Sequence, residues 1–208
     1  MAKQNKRLVI PNLSAALDLI RGLREKFDII TETPEDCANL FFKNNAQIAL
    51  MLPFEYAKKS GYLDLTIFPS ASISLTDASK DSIIVLSEGK ENIANIGYRK
   101  GFVYETYLAK ILFAENYKTK PQFKVFERSV KEDIKNFDAL LLSGDEGIEQ
   151  ASQNDLGLLP AEEWFLLTGL PYVSYVLVTR TEDLDSGDTD FIRKSLNYNH
   201  HSEDDLKG

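Results

Sequence analysis

The stretch Asp155–Arg180, DLGLLPAEEWFLLTGLPYVSYVLVTR, decides how the chain is read. Pro160 precedes Ala161, Glu162 and Glu163, and a fixed φ followed by early carboxylates favours a helix start there. Gly169 and Pro171 then stop that helix in the order usual for a C-terminus. Tyr172, Val173, Tyr175, Val176 and Val178 are aromatic or β-branched, so a buried strand follows. Helix, hard stop and core strand make one unit of a layered α/β protein.

Upstream, strand and helix patterns keep alternating. Residues 7–10 predict a strand halted at Pro11-Asn12. Ser14 is placed to cap a helix with Leu19, Ile20, Leu23 and Phe27 on one face. Asp28–Ile30 reads as a strand, and Thr33-Pro34-Glu35-Asp36 as a helix start with hydroxyl cap, proline and acidic first turn. Ala46–Leu52 is a continuous apolar run, the pattern of a strand buried on both faces. Pro53 opens a short helix; Tyr62–Phe68, Ser82–Ser87, Ile93–Tyr98, Gln122–Phe126 and Asp138–Leu142 read as strands. The clearest helix carries Tyr104, Tyr107, Leu108, Ile111 and Leu112 on one stripe. The alternation predicts α/β layers with mostly parallel sheets. The polar stretch 70–80 reads as a crossing between two lobes. Residues 181–208, acidic and polar, read as a partly disordered tail with room for one short helix at Phe191, Ile192 and Leu196.

Composition sets limits. The chain has 208 residues, 43% hydrophobic and 27% charged, which suits a sizeable soluble core. A net charge of −8 and a pI near 4.9 argue against nucleic-acid binding, which wants a basic face. Local anion sites stay open. Cys37 is the one cysteine, falls at helical spacing with Leu40 and Phe41, and reads as a buried small hydrophobe. The apolar run after Lys6 and Arg7 is cut at Pro11, so no signal peptide or membrane partner is expected, and the compartment is read as cytoplasmic.

Taken together, Asp155-Leu-Gly, Trp164, Thr168-Gly-Leu-Pro-Tyr172 and the strand ending at Arg180 resemble the signature of two menaquinone-biosynthesis enzymes of the futalosine route, chorismate dehydratase and dihydroxynaphthoate synthase. Weaker matches are Gln47–Ala57, Ser82–Ser87 and Asp138–Asp145. The resemblance implies a two-lobed class II periplasmic-binding-protein-like fold, lobe I being residues 1–74 plus 173–208 and lobe II residues 75–172. It implies a small-carboxylate ligand in an interlobe cleft and no cofactor. Family members continue with helices after the position of Arg180, so a shortened relative is expected, completed by a homodimer or another partner.

Candidate contacts follow from residues and resemblance together. Gly97-Tyr98-Arg99-Lys100-Gly101, ahead of the Tyr104 helix, offers two cations and free backbone N–H groups at a strand-to-helix turn, where open α/β sheets bind ligands. An exposed, solvated turn is the competing reading. The resemblance adds Ser82, facing the substrate carboxylate, and Asn12 in the first strand-to-helix turn. Tyr104-Glu105 stand where the family has hydroxyls, leaving Thr106 as the nearest one, and Pro53 replaces a further serine. Ser143-Gly-Asp-Glu-Gly147 lacks the lysine of a phosphate loop and by resemblance is the family's strand-end turn; Asp145 reads as a helix cap and Glu55 as a helix-start carboxylate. No metal site is expected, since His200 and His201 lie in the tail. Residues 70–180 contain no histidine, whereas the synthase uses one as its base, so the chain resembles the dehydratase more closely. Neither reading nominates a catalytic residue. A solute-binding-like module that holds an acid or a protein partner without turnover is the alternative.

Overall fold

The computed structural model describes residues 5–75, 80, 82–90, 92–153 and 157–201. The chain divides into two compact units: Met1–Ser74 with Val173–Gly208, and Leu75–Tyr172.

The first unit holds β1 (Arg7–Pro11), α1 (Ser14–Leu19), β2 (Asp28–Glu32), α2 (Pro34–Phe42), β3 (Ile48–Met51), α3 (Pro53–Lys59) and β4 (Leu65–Leu75). After the excursion through the second unit it gains β9 (Tyr172–Arg180) and α8 (Ser186–His201). The sheet order is β2-β1-β3-β9-β4. β1 pairs in parallel with β2 and β3, while β9 runs antiparallel to β3. All four β3 residues are buried, as a doubly covered strand requires. One face packs Val9, Ala49, Met51, Val176 and Val178 against Cys37 and Phe41 of α2. Thr33 caps α2 by accepting from the Asp36 N–H at 3.2 Å.

The second unit holds β5 (Ser82–Leu86), β6 (Asn95–Arg99), α4 (Val103–Glu115), β7 (Gln122–Phe126), α5 (Val130–Asp133), β8 (Ala139–Ser143), α6 (Gly144–Gln153) and α7 (Pro160–Thr168). Its sheet order is β5-β8-β6-β7, with β6 parallel to β7 and β8, and β5 antiparallel to β8. Ile84, Ile96, Ala139 and Leu141 bury against Ala109 and Phe113 of α4. The opposite face carries Ile83, Leu140, Leu142 and Phe126, with Ala151 of α6.

The opening stretch forms as its sequence dictates: α7 starts on Pro160, and Gly169 ends it at φ +69 with its N–H on the Phe165 carbonyl at 2.7 Å. The Trp164 ring packs edge-on against Tyr172. Asp155 and Leu156 lie outside the described residues. Gly157 has a steric role: a Cβ there would stand 2.3 Å from Ile83, because Leu158 bridges β5 at Ile84.

Several expectations need correction. The single helix expected after Pro11 is broken: α1 ends at Leu19 and a 3-10 turn, Arg21–Glu25, continues. Its cap position is Leu13, not Ser14, and no side chain bonds there. The turn expected at Ser143–Gly147 is already helix from Gly144, so Asp145 sits inside the first turn of α6. The crossing expected over residues 70–80 is strand as far as Leu75, and residues 76–79 lie outside the described set. The one short helix expected at Phe191, Ile192 and Leu196 is present and longer, α8 running Ser186–His201. There α8 buries Ile192 and Leu196, sets Phe191 against the Phe27 ring, and ties Asp188 to Lys6 and Lys26. Those lysines lie far away in sequence, which is why composition alone suggested disorder.

Candidate functional site

In the second unit, β6 and β8 run parallel and each is followed by a helix, so the N-termini of α4 and α6 meet the same edge of the sheet. Helix N-termini present unpaired N–H groups and a partial positive charge. β5 runs the other way, which brings its first residue, Ser82, opposite the last residue of β8, Ser143.

Side-chain alternation fixes the faces. Ser82 is two residues before Ile84, and Ser143 two after Leu141; both of those leucine-type residues pack on α4. The two serines therefore share the α4 face, with Cβ atoms separated by about 4.5–5.5 Å as in any directly opposed pair. Thr106 lies three and seven residues before Ala109 and Phe113, on the stripe of α4 that meets the sheet. It is 1% exposed, and Ser82 and Ser143 are 5% and 6% exposed. Three buried hydroxyls thus gather at one sheet edge. Tyr98, two residues after Ile96, flanks them on the same face.

Arg99 is on the opposite face and is engaged. Its Nε and Nη2 donate to the two carboxylate oxygens of Glu146 at 2.9 and 2.7 Å, and Nη1 donates to the Arg128 carbonyl at 2.6 Å. The guanidinium also lies 4.1 Å from the Phe126 ring centroid. Hydrogen bonding to Glu146 raises its already high pKa further, against the opposing pull of burial. Arg99 clamps α6 to β6; its charge is neutralised by Glu146. Lys100 is exposed in the turn beyond β6, before Gly101 at φ +102. Asn12 belongs to the first unit, exposed at the carboxyl end of β1, with its N–H on the Glu32 carbonyl at 3.1 Å. Glu55 pairs with Lys58 at 2.9 Å.

Of the residues singled out in the sequence, the second unit thus brings Ser82 and Thr106 together and holds Arg99 apart. Sequence reasoning missed Ser143. Its signal was a polar residue closing an apolar run, DALLLS, in register with a serine on a neighbouring strand.

Titration elsewhere is explained by structure. Burial, then the neighbouring carboxylates Glu32 and Asp36, push the Cys37 thiol up to about 12. Burial and the bond to Glu163 push Tyr117 up to about 12. A hydrogen bond from Lys90, with backbone N–H donors of Asn95 and Ala94, holds Asp138 down at about 2. Among the described residues no cluster of three or more His, Cys, Asp or Glu could hold a metal ion. No helix among them is long and apolar enough to cross a membrane.

The fold is shared widely among solved structures. Protein AF1704 from Archaeoglobus fulgidus superposes with a TM-score of 0.66 at 16% identity, covering 99% of this chain and 80% of that one. The Candida albicans CA3427 gene product, described as having the generic periplasmic binding protein fold, gives a TM-score of 0.57 at 12% identity, over 98% of this chain and 72% of that chain. The periplasmic aliphatic sulphonate binding protein SsuA from Escherichia coli gives 0.60 at 10% identity, over 98% and 72%. At these identities the likeness establishes the fold, a periplasmic-binding-protein-like α/β architecture. No curated protein matches the sequence. The family described as menaquinone biosynthesis matches residues 10–207, nearly the whole chain, and the protein belongs to that family.

Proposed function

We propose that the protein is a carbon–oxygen lyase of the chorismate dehydratase type, acting in the cytoplasm on a small ring carboxylate. The observation that carries the reading is the hydroxyl edge of the second unit, where buried Ser82 and Thr106 meet the N-terminus of α4. Hydroxyls and helix N–H groups are the donors a carboxylate wants. Lys100, exposed in the turn between β6 and α4, adds long-range attraction. Arg99 acts as scaffold.

The chemistry asks little of side chains. A ring C–H bond breaks, its electron pair forms the new ring double bond, and the hydroxyl leaves with its C–O bond to give water. Aromaticity of the product supplies the driving force, so the protein's task is positioning. A base must lie within hydrogen-bond reach of the proton; a second carboxylate on the substrate meets that need without a protein group.

A second reading, a solute-binding-like module without turnover, is favoured by one observation: Glu146 neutralises Arg99, the guanidinium that the sequence put forward as a ligand contact. Incubation of the purified protein with chorismate separates the two. Appearance of 3-(1-carboxyvinyloxy)benzoate, lost in Ser82→Ala, supports the lyase; saturable binding with chorismate recovered unchanged supports the binding module.

A further inference from the structure

We infer that Ser143 is a ligand-binding residue, its hydroxyl donating to one oxygen of a monoanionic carboxylate whose other oxygen is bound by Ser82. This rests on the reading of the hydroxyl edge as a carboxylate site, and it names a residue and a ligand class that the reading leaves open.

The Ser143 Oγ is shut off from solvent and has no hydrogen-bond partner, although Ser82 stands directly opposite on the same face. Buried hydroxyls in folded proteins nearly always find a partner. The same sheet shows how easily that is done: Ser87, just past the other end of β5, gives its hydroxyl to the carbonyls of Ile134 and Phe137 at 2.7 and 2.6 Å. Ser143 closes a strand whose other four residues are all buried and apolar, so an alanine or valine would pack there without leaving a polar atom unpaired. An unsatisfied group kept at the meeting point of two helix N-termini, of thirteen and ten residues, marks a place where a ligand supplies the missing partner.

The ligand class follows from the donors. Two opposed hydroxyls, each reaching about 2.5–3.0 Å, bracket the two oxygens of one carboxylate. The nearby guanidinium is on the other face and already paired with Glu146, so this edge offers no desolvated cation for a dianion. A carboxylate suits it better than a phosphate. The side chain against Gly144 is Phe102, whose ring would lie 3.5 Å from a Cβ there, next to Gly101 at φ +102.

The test is calorimetric titration of the full-length protein with 3-(1-carboxyvinyloxy)benzoate, benzoate and inorganic phosphate, together with thermal unfolding of the unliganded variants. Ser143→Ala is expected to weaken carboxylate binding about ten- to hundredfold, the range for a hydrogen bond to a charged group. It is also expected to leave the unfolding midpoint unchanged or raised, since no protein group loses a partner. The isosteric Ser143→Cys, a weaker donor, is expected to fold normally and bind with intermediate affinity. Wild-type affinity in Ser143→Ala, with binding lost in Ser82→Ala, overturns the inference and leaves the carboxylate site standing. A lowered midpoint in Ser143→Ala with unchanged affinity also overturns it, as a structural role. Phosphate binding as tightly as the carboxylates overturns the ligand class. If no carboxylate binds the wild type, the site reading itself fails and the inference with it.

Discussion

Replacing Asp188 with asparagine tests how the C-terminal helix is held. Asp188 is 5% exposed in the first turn of α8 and forms ion pairs with Lys6 and, at 2.8 Å, Lys26. It also accepts from the Asp185 N–H at 3.3 Å. Burial alone would raise its pKa, but the hydrogen bonds from Lys26, Lys6 and the Asp185 backbone outweigh burial and hold it at about 2, against 3.8 for an unperturbed aspartate. A difference of that size corresponds to roughly 2.5 kcal/mol at neutral pH. Both lysines reach solvent, so screening reduces the figure to about 1–2 kcal/mol. The folded-state pKa is the lower one, so this stability is complete above the unfolded pKa near 4 and is lost as pH falls from about 4 towards about 2. Urea unfolding of wild type and Asp188→Asn is expected to differ by about 1–2 kcal/mol at pH 7 and to converge near pH 2. Equal stability at pH 7, or a gap that persists undiminished at pH 2, would refute the reasoning.

Other perturbations have equally definite signs. Gly97→Ala would put a methyl 2.5 Å from Leu140 Cδ2 and 3.1 Å from the Phe137 ring, and denaturant unfolding should show a loss of about 1–3 kcal/mol from overpacking. Glu146→Gln should cost about 1–2 kcal/mol in the same assay by loosening a bidentate clamp, and should strengthen anion binding at the hydroxyl edge by uncovering the Arg99 charge. The Cys37 thiol, fully buried with its pKa at about 12, should resist a thiol-disulfide reagent at pH 8 in the native protein and react promptly in denaturant. Thr33→Ala should lower stability by about 1 kcal/mol through loss of the α2 cap.

What the chain revealed on first reading was the part written in local pattern. Pro160, Gly169 and the β-branched run after Tyr172 specify helix, stop and strand within a few residues of one another, and Thr33-Pro34 does the same for α2. The misreadings share a different cause. The α8 helix looked like a solvated tail because its anchors, Lys6 and Lys26, are supplied by the opposite end of the chain. Arg99 looked like an available cation because Glu146, its partner, lies 47 residues further on. Ser143 gave only a weak signal, a polar residue closing an apolar run; its significance comes from the antiparallel register that sets it opposite Ser82 and from the absence of any partner for its oxygen. Long-range pairing, which periodicity does not encode, separates the two groups.

The most direct test of the account is a crystal structure of the protein with 3-(1-carboxyvinyloxy)benzoate bound. It is expected to show the ring carboxylate at the carboxyl edge of the second unit's sheet, within hydrogen-bond distance of the Ser82 and Ser143 hydroxyls, with the Arg99–Glu146 pair intact. A carboxylate held instead by Arg99, with Glu146 displaced and the two serines untouched, would contradict it.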